Sequence, residues 1–195
     1  MNAVVATAER RRLGYPSGWW AMLLLIATEG ALFGLLIGSY YYLRFKTPDW
    51  PPAGDPEPRV VVPLLLAFVL GSTSVPMQLA AVAAGRGRLA LARRLLGFAL
   101  LVQAGYLAMQ LDLYVDDLHA APPTRDAYES AVVTLQGAHH AHVLVGVLLT
   151  AWLLARLARG LTRYRLVALR SIALYWHFVN VLALVVTGVI LSGRA

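Results

Sequence analysis

Apolar residues are gathered into five long stretches, which are separated by short segments rich in charge, proline and glycine. A helix needs about 20 apolar residues to cross the hydrocarbon core of a bilayer. The pattern therefore predicts an all-α integral membrane protein with five transmembrane helices in a single domain, residues 19–195, after a basic arm at residues 1–18. The predicted spans are residues 19–43, 60–84, 95–111, 131–155 and 171–191. The third apolar stretch is the shortest, and we expect its helix to extend into Arg93, Arg94 and Asp112.

The charged residues between the spans differ in sign from one side of the membrane to the other. The arm and the loops after the second and fourth spans carry 12 arginines and one acid. The remaining loops and the C-terminus carry five basic and eight acidic residues. Because basic loops stay in the cytoplasm, the pattern predicts a cytoplasmic N-terminus and a C-terminus outside. The formal net charge of +7 thus follows from topology and does not indicate nucleic-acid binding.

Composition supports a membrane location and narrows the chemistry. The chain is 59% hydrophobic, with a mean hydropathy of +0.64. It contains no cysteine, which excludes disulfides, iron–sulfur clusters and thiol catalysis. Sixteen arginines stand against one lysine, and alanine and leucine are abundant. This usage is typical of a GC-rich bacterial genome, so we expect a multi-pass protein of the bacterial cytoplasmic (inner) membrane.

Glu29 is the charged residue within the first apolar stretch. An ionised acid at the centre of a membrane helix costs on the order of 3 kcal/mol, so we expect Glu29 to be neutral, paired or turned toward other protein. Later spans add further polar side chains: His139, His140, His142, His177 and Asn180. Because residues three apart share a helix face, His139 lies with His142, and His177 lies with Asn180.

Three interpretations of these polar residues remain open. In the first, Glu29 and either His142 or His139 form a hydrogen-bonded or ionic pair that joins two helices. In the second, the group takes part in proton movement, since buried histidine and glutamate side chains can exchange protons near neutral pH. In the third, two histidines on different helices bind a haem or a metal, with His142 and His177 as the axial candidates for a haem.

Small residues and prolines suggest where helices approach or bend. Two prolines, Pro63 and Pro76, should bend the second span or leave carbonyls unpaired. Glycines recur at every fourth residue of the first span and flank the histidines of the fourth, a pattern that allows close helix packing. These glycines are Gly30, Gly34, Gly38, Gly137 and Gly146.

Three motifs in order resemble those of subunit III of the haem-copper oxidases, in its short five-helix form. The first is GWWAMLLLIATEGALFGLLIGSYYYLR, residues 18–44, which resembles the glutamate-bearing helix of that family. GAHHAHVLVG, residues 137–146, is similar to G-F-H-G-L-H-V-x-x-G, and ALYWHFVNVLAL, residues 173–184, is similar to Y-W-H-F-V-D-V-x-W. STSVPMQLA, residues 72–80, matches more loosely. The resemblance covers nearly the whole chain past Gly14.

The chain departs from the family pattern at four positions. Asn180 stands where the family usually has Asp, and Ala183 stands near a common Trp. His140 replaces a small residue, and Gln78 occupies a position where His is frequent. The change at Asn180 removes an intramembrane charge, and His140 adds a titratable group to which the family assigns no role.

The resemblance implies a non-catalytic subunit of a proton-pumping respiratory oxidase that reduces O2 to water. Family subunit III stabilises subunit I, supports proton uptake and holds no redox cofactor. We therefore expect no catalytic, cofactor-binding or metal-binding residue here, with haems and copper in subunits I and II. The implied partners are subunits I and II, membrane phospholipids, and cytochrome c or quinol as electron donor to the complex.

Residue roles follow from the same resemblance. We expect an intramembrane polar and proton-related core, and two residues at an interface with other subunits. The expected core is Glu29, His139, His142, His177 and Asn180, and the expected interface residues are Arg44 and Trp176.

Other functions compete with the oxidase subunit. An accessory subunit of a nitric oxide reductase would share the fold without the oxygen chemistry. A stand-alone haem b membrane protein would use the histidine cluster. A small transporter is disfavoured because the sequence shows neither an internal repeat nor paired broken helices.

Overall fold

The computed structural model describes residues 17–53 and 60–193, so the basic arm predicted at residues 1–18 lies almost entirely outside the described residues. Over those ranges, five helical segments are long and apolar enough to cross a membrane. This confirms the predicted all-α architecture, while the orientation of the termini stays a prediction. The helices are α1 (Ser17–Lys46), α2 (Val61–Ser72), α3 (Ser74–Gly85), α4 (Leu89–Ala120), α5 (Ala127–Leu157) and α6 (Arg163–Ser192).

The helices run beyond the apolar stretches from which they were predicted. The largest difference is in α4, which has 32 residues although its apolar stretch is the shortest. It begins before Arg93 and Arg94 and continues past Asp112. Charged residues at membrane interfaces can remain helical because their side chains reach water or polar groups while the backbone stays hydrogen-bonded. Apolar length therefore underestimates the helix.

The second span breaks into α2 and α3 at Thr73. Pro76 has no N–H to donate, and its ring clashes with the carbonyl four residues earlier, which belongs to Ser72. At the break the backbone N–H of Thr73 donates to the Leu70 carbonyl at 3.0 Å, and the Thr73 hydroxyl donates to the same oxygen at 2.6 Å. Pro63 lies in the first turn of α2, where proline is tolerated.

α6 is the central helix of the bundle. It packs against α1, α2, α3 and α5, while α4 packs against α2, α3 and α5. Half of the most apolar stretch of α6 is buried within the chain, against 6% for the corresponding stretch of α1. α1 is therefore a peripheral helix that contacts only α5 and α6 among the described residues, and it buries Phe33 and Tyr40 against them.

Side chains at the helix ends satisfy backbone groups and fix how the helices join. Asp126 accepts from the backbone N–H of Glu129 at 2.9 Å and so caps the start of α5. Arg93 on α4 donates to the Leu157 and Ala158 carbonyls at the end of α5. Arg44 at the end of α1 donates to the Ser192 carbonyl of α6 at 2.7 Å. Each arginine places a positive charge at the negative end of a neighbouring helix.

Candidate functional site: a carboxyl–imidazole pair between three helices

Glu29 on α1 meets His142 on α5. The Glu29 Oε2 and His142 Nε2 atoms are 2.9 Å apart, and the two side chains are 24% and 17% exposed. The structure thus brings Glu29 together with His142, one of the two partners proposed from the sequence. The pair joins the peripheral helix to the body of the bundle.

The hydrogen bond at the other ring nitrogen restricts the protonation of the pair. His142 Nδ1 lies 2.7 Å from the Ala138 carbonyl oxygen. A carbonyl can only accept, so Nδ1 carries a hydrogen and donates it. One further proton then lies between Nε2 and the Glu29 carboxyl. Either a neutral carboxylic acid donates to a neutral imidazole, or an imidazolium donates to a carboxylate. The pair has no net charge in either form, which lowers the cost of placing it in a membrane.

Neighbouring side chains hold the pair in position. The Phe33 ring of α1 packs edge-on against the His142 ring with centroids 5.2 Å apart. The Tyr175 hydroxyl of α6 donates to the His142 carbonyl at 2.9 Å. Residues from α1, α5 and α6 therefore converge at His142, so a change in this pair acts on the contact among three helices.

His139 points to a different neighbour. Its Nε2 lies 3.4 Å from the Tyr106 hydroxyl of α4, to which Gln110 donates at 3.2 Å. Only 3% of His139 is exposed. His139 and His142, predicted to share a helix face, therefore have different hydrogen-bond partners, on α4 and on α1, and their proton-related role stays a prediction.

His177 and Asn180 lie on α6 and face the broken span. His177 Nε2 is 3.3 Å from the Gln78 amide oxygen of α3. The Asn180 amide donates to the Ser74 hydroxyl at 2.7 Å and lies 3.5 Å from the Thr73 hydroxyl. These contacts form a second polar cluster at the break between α2 and α3. The expected polar core is thus divided into three separate groups.

The two histidines considered as haem ligands are engaged by protein groups. Both ring nitrogens of His142 have close partners, at Glu29 and Ala138, which leaves no lone pair directed at a metal. His177 bonds to a different helix through Nε2. The donor arrangement does not fit an axial pair.

Trp176 and Arg44 make their contacts within the chain. Trp176 is 0% exposed and donates through its indole Nε1 to the Thr150 hydroxyl of α5 at 2.8 Å. The resemblance placed Trp176 at an interface with other subunits, whereas the structure places it between α5 and α6. Arg44 lies near the end of α1, is half-buried, and contacts the end of α6 through the Ser192 carbonyl.

The glycines divide into two kinds. A Cβ at Gly146 would lie 2.7 Å from the Trp176 ring, and a Cβ at Gly137 would lie 2.8 Å from the Tyr114 hydroxyl. Each of these glycines on α5 therefore leaves space for an aromatic side chain of a neighbouring helix, as the predicted packing role requires. A Cβ at Gly30 would lie 4.0 Å from the Phe178 ring, whereas Gly34 and Gly38 meet nothing within 4 Å among residues 17–53 and 60–193, so this part of the small-residue face of α1 is open in the part of the chain that the structure describes.

Sequence reasoning missed the polar face of α4. Gln103 is fully buried and its amide lies 3.4 Å from the Thr73 hydroxyl. Tyr106 follows on the same helix and contacts His139, and Gln110 donates to the Tyr106 hydroxyl. The spacing of three and four residues marks one helix face, and this pattern was readable in the sequence.

Comparison with known proteins gives a consistent family. The model of the family described as cytochrome c oxidase subunit III matches residues 18–191. The cytochrome bo(3) ubiquinol oxidase subunit 3 of Pseudomonas aeruginosa is 29% identical, with 84% of this chain and 78% of the relative covered. The cytochrome c oxidase subunit 3 of Bacillus sp. (strain PS3) is 30% identical, with the same coverage.

A third relative joins two subunits in one chain. The heme-copper oxidase subunit I+III of Aeropyrum pernix is 32% identical, with 83% of this chain and 21% of the relative covered. The relatives named here give no support to a nitric oxide reductase subunit or to a stand-alone haem b protein.

Proposed function

The chain belongs to the cytochrome c oxidase subunit III family, and from that premise we propose what it contributes to its complex. It is a multi-pass membrane subunit of a respiratory haem-copper oxidase, and it associates with other subunits of that oxidoreductase. Subunit III has no metal centre of its own in this family. We propose that it packs beside subunit I in a bacterial inner membrane, stabilises it and supports proton uptake. Haems and copper would lie in subunits I and II, with cytochrome c or quinol as electron donor.

The observation that best supports contact with subunit I is the relative from Aeropyrum pernix, whose name joins subunits I and III. Its printed name describes subunits I and III in one chain, and its subunit III part aligns with 83% of the present chain. Two domains that work as one covalent unit in a relative are expected to be neighbours when they are separate chains. Subunit II has no comparable support, and we include it because electrons must reach subunit I from a donor.

Within the chain, we propose that Glu29 and His142 hold α1 against the bundle. Three polar contacts attach α1 to the bundle: the pair at mid-helix, and near the helix end the Arg44 contact with the Ser192 carbonyl and the hydrogen bond between the Tyr41 and Ser192 hydroxyls at 3.0 Å. A membrane hydrogen bond contributes about 0.6 kcal/mol on average. That amount is close to RT, so the pair biases the rotation of α1 only together with the packing of Phe33 and Tyr40 against α5 and α6, and these contacts jointly define the surface offered to subunit I.

The same pair is also suited to support of proton uptake. One proton is shared between two acceptors without a net charge, and either group can pass it on through water. Exposure of 24% at Glu29 and 17% at His142 leaves the pair accessible from the surface of the bundle, where a partner subunit or phospholipid would lie.

The test is purification of the tagged chain from native membranes in mild detergent, with mass spectrometry, a reduced-minus-oxidised spectrum and oxygen uptake on the eluate. We expect large haem-copper subunits to co-purify with oxygen-reducing activity, and the haem bands then identify the oxidase type. An untagged strain is the control. A chain that elutes alone and colourless contradicts the proposal, and nitric oxide consumption without oxygen uptake would favour the reductase.

A further inference from the structure

A polar cavity lies among the helices at the end of the bundle opposite the arginine-rich loops. It has a volume of about 180 Å³ and is formed by the start of α2, the end of α4, the start of α5 and the end of α6. Its lining includes Tyr106, Gln110, Gln136, His139, His140 and Thr187. None of these residues contributes to the Glu29–His142 pair, which faces α1.

The cavity reaches deep into the bundle. Ala120 and Ala121 line its outer end, where α4 gives way to the loop before α5. His140 lines its inner part and lies 13 residues after the start of α5 at Ala127, which is about 20 Å at 1.5 Å per residue. The hydrocarbon core is about 30 Å thick. The cavity therefore connects one end of the bundle with its middle.

The histidines at its inner part have unmet hydrogen-bonding capacity. His139 and His140 are 3% and 7% exposed, and the Nδ1 atom of each has no protein partner among residues 17–53 and 60–193. His140 contacts the Tyr114 ring edge-on, at 5.3 Å between centroids, and this contact supplies no hydrogen-bond partner for its Nδ1 atom. A buried polar group without a partner costs about 1–3 kcal/mol, and lipid supplies no hydrogen bonds. The groups need a polar ligand.

The volume of the cavity indicates which polar ligand fits it. A water molecule needs roughly 10–15 Å³ of such volume and two to four polar partners. The main cavity has room for several waters, and an adjoining void of about 20 Å³, also lined by Gln110, Gln136 and His140, has room for one. The lining combines apolar side chains, such as Val132 and Val186, with amide, imidazole, phenol and hydroxyl groups, and these polar groups both donate and accept as water does.

We propose that this cavity is a water-filled vestibule that brings bulk water, and with it exchangeable protons, to His140 and His139 in the middle of the bundle. Asp117 and Glu129 lie along its wall near the loop, so carboxyl oxygens add hydrogen-bond acceptors for water at its outer part. The added imidazole of His140 thereby gains a role as a polar group that orders this water.

The absence of cysteine from the chain makes the test direct. Gln136→Cys is introduced into the tagged chain of the whole complex, and sheared membrane fragments are treated with a membrane-impermeant methanethiosulfonate. Labelling of this chain is read by mass spectrometry. Because the thiolate is the reactive form and does not persist in lipid, we expect Gln136→Cys to react at least about tenfold faster than Leu148→Cys. Leu148 lies on the same helix, is 60% exposed on the outer surface of the bundle and faces lipid.

Two further variants make the result decisive. Thr124→Cys, in the exposed loop between α4 and α5, is the positive control for reagent access. Thr187→Phe places a ring in the cavity between the loop and Gln136, and should reduce labelling of Gln136→Cys toward the rate of Leu148→Cys. If Gln136→Cys prevents assembly, Val133→Cys replaces it on the same wall. An unlabelled cavity cysteine beside a labelled Thr124→Cys, or labelling that Thr187→Phe does not change, overturns the proposal.

Discussion

Substitution of Glu29 distinguishes the two protonation forms of the pair with His142. His142 donates through Nδ1 to Ala138, so a neutral ring presents a lone pair at Nε2. The amide of Glu29→Gln can donate to that lone pair and so reproduces the neutral form. It cannot reproduce a carboxylate that accepts from an imidazolium. Glu29→Ala removes the bond in both forms.

The expected magnitudes follow from the geometry. Polar contacts between membrane helices contribute about 0.6 kcal/mol on average and up to about 1.7 kcal/mol. Glu29→Ala also leaves His142 Nε2 without its partner in a ring that is only 17% exposed, which adds part of the 1–3 kcal/mol cost of an unmet polar group. We therefore expect Glu29→Ala to destabilise the bundle by about 1–3 kcal/mol and Glu29→Gln by less than about 1 kcal/mol.

The measurement is reversible unfolding of the purified chain in mixed micelles by titration with a denaturing detergent, followed by tryptophan fluorescence. Thr28→Ala is the matched control, because the Thr28 hydroxyl bonds only to the Leu25 carbonyl of its own helix. A double-mutant cycle of Glu29→Ala with His142→Ala should give a coupling of about 0.6–1.7 kcal/mol. A Gln variant as unstable as the Ala variant would refute the neutral acid, and a coupling near zero would refute the pair itself.

Two further substitutions, each with a matched control, test packing and helix-end contacts in the same unfolding assay. Gly146→Ala should destabilise the chain by about 1–2 kcal/mol, because the added methyl group clashes with Trp176. The control is Gly34→Ala, which has open space around it and should be neutral or stabilising by up to about 1 kcal/mol. Equal effects of the two substitutions would show that Trp176 moves freely. Arg93→Ala should destabilise the chain by about 1 kcal/mol, because it removes a cation from the carbonyls that end α5. The control is Arg94→Ala at an exposed position, which should change stability by less than about 0.5 kcal/mol. A larger loss of stability for Arg94→Ala than for Arg93→Ala would contradict the capping role.

Local sequence patterns were sufficient for the helices and insufficient for their mutual rotation. The five spans follow from apolar length, because every backbone polar group in lipid must be satisfied within a helix. The break at Thr73 follows from Pro76 in the same local way. The choice between His139 and His142 as the partner of Glu29 depends on the rotation of α5 against α1, which no local pattern records.

The polar face of α4 illustrates a signal that was present and unused. Gln103, Tyr106 and Gln110 have helical spacing, but each side chain is uncharged and tolerated singly in a membrane helix. Glu29 is a strong signal because placing an ionised carboxylate in a membrane costs a large free energy. The α4 residues become informative only when all three are placed on one helix face, toward Thr73 and His139.

The three histidines of α5 show how this chain accommodates a residue that the family motif lacks. His142 faces α1 and bonds Glu29, His139 faces α4 and approaches Tyr106, and His140 lines the cavity between them and the end of the bundle. Successive residues on a helix are rotated by about 100°, so the imidazole at position 140 does not point toward α1 as His142 does, and it lines the cavity together with His139. The substitution therefore adds a polar group to a space that already contains Gln110 and Gln136, at no cost to the pair with Glu29. This independence implies that changes at His140 should alter the hydration of the cavity while leaving the attachment of α1 intact.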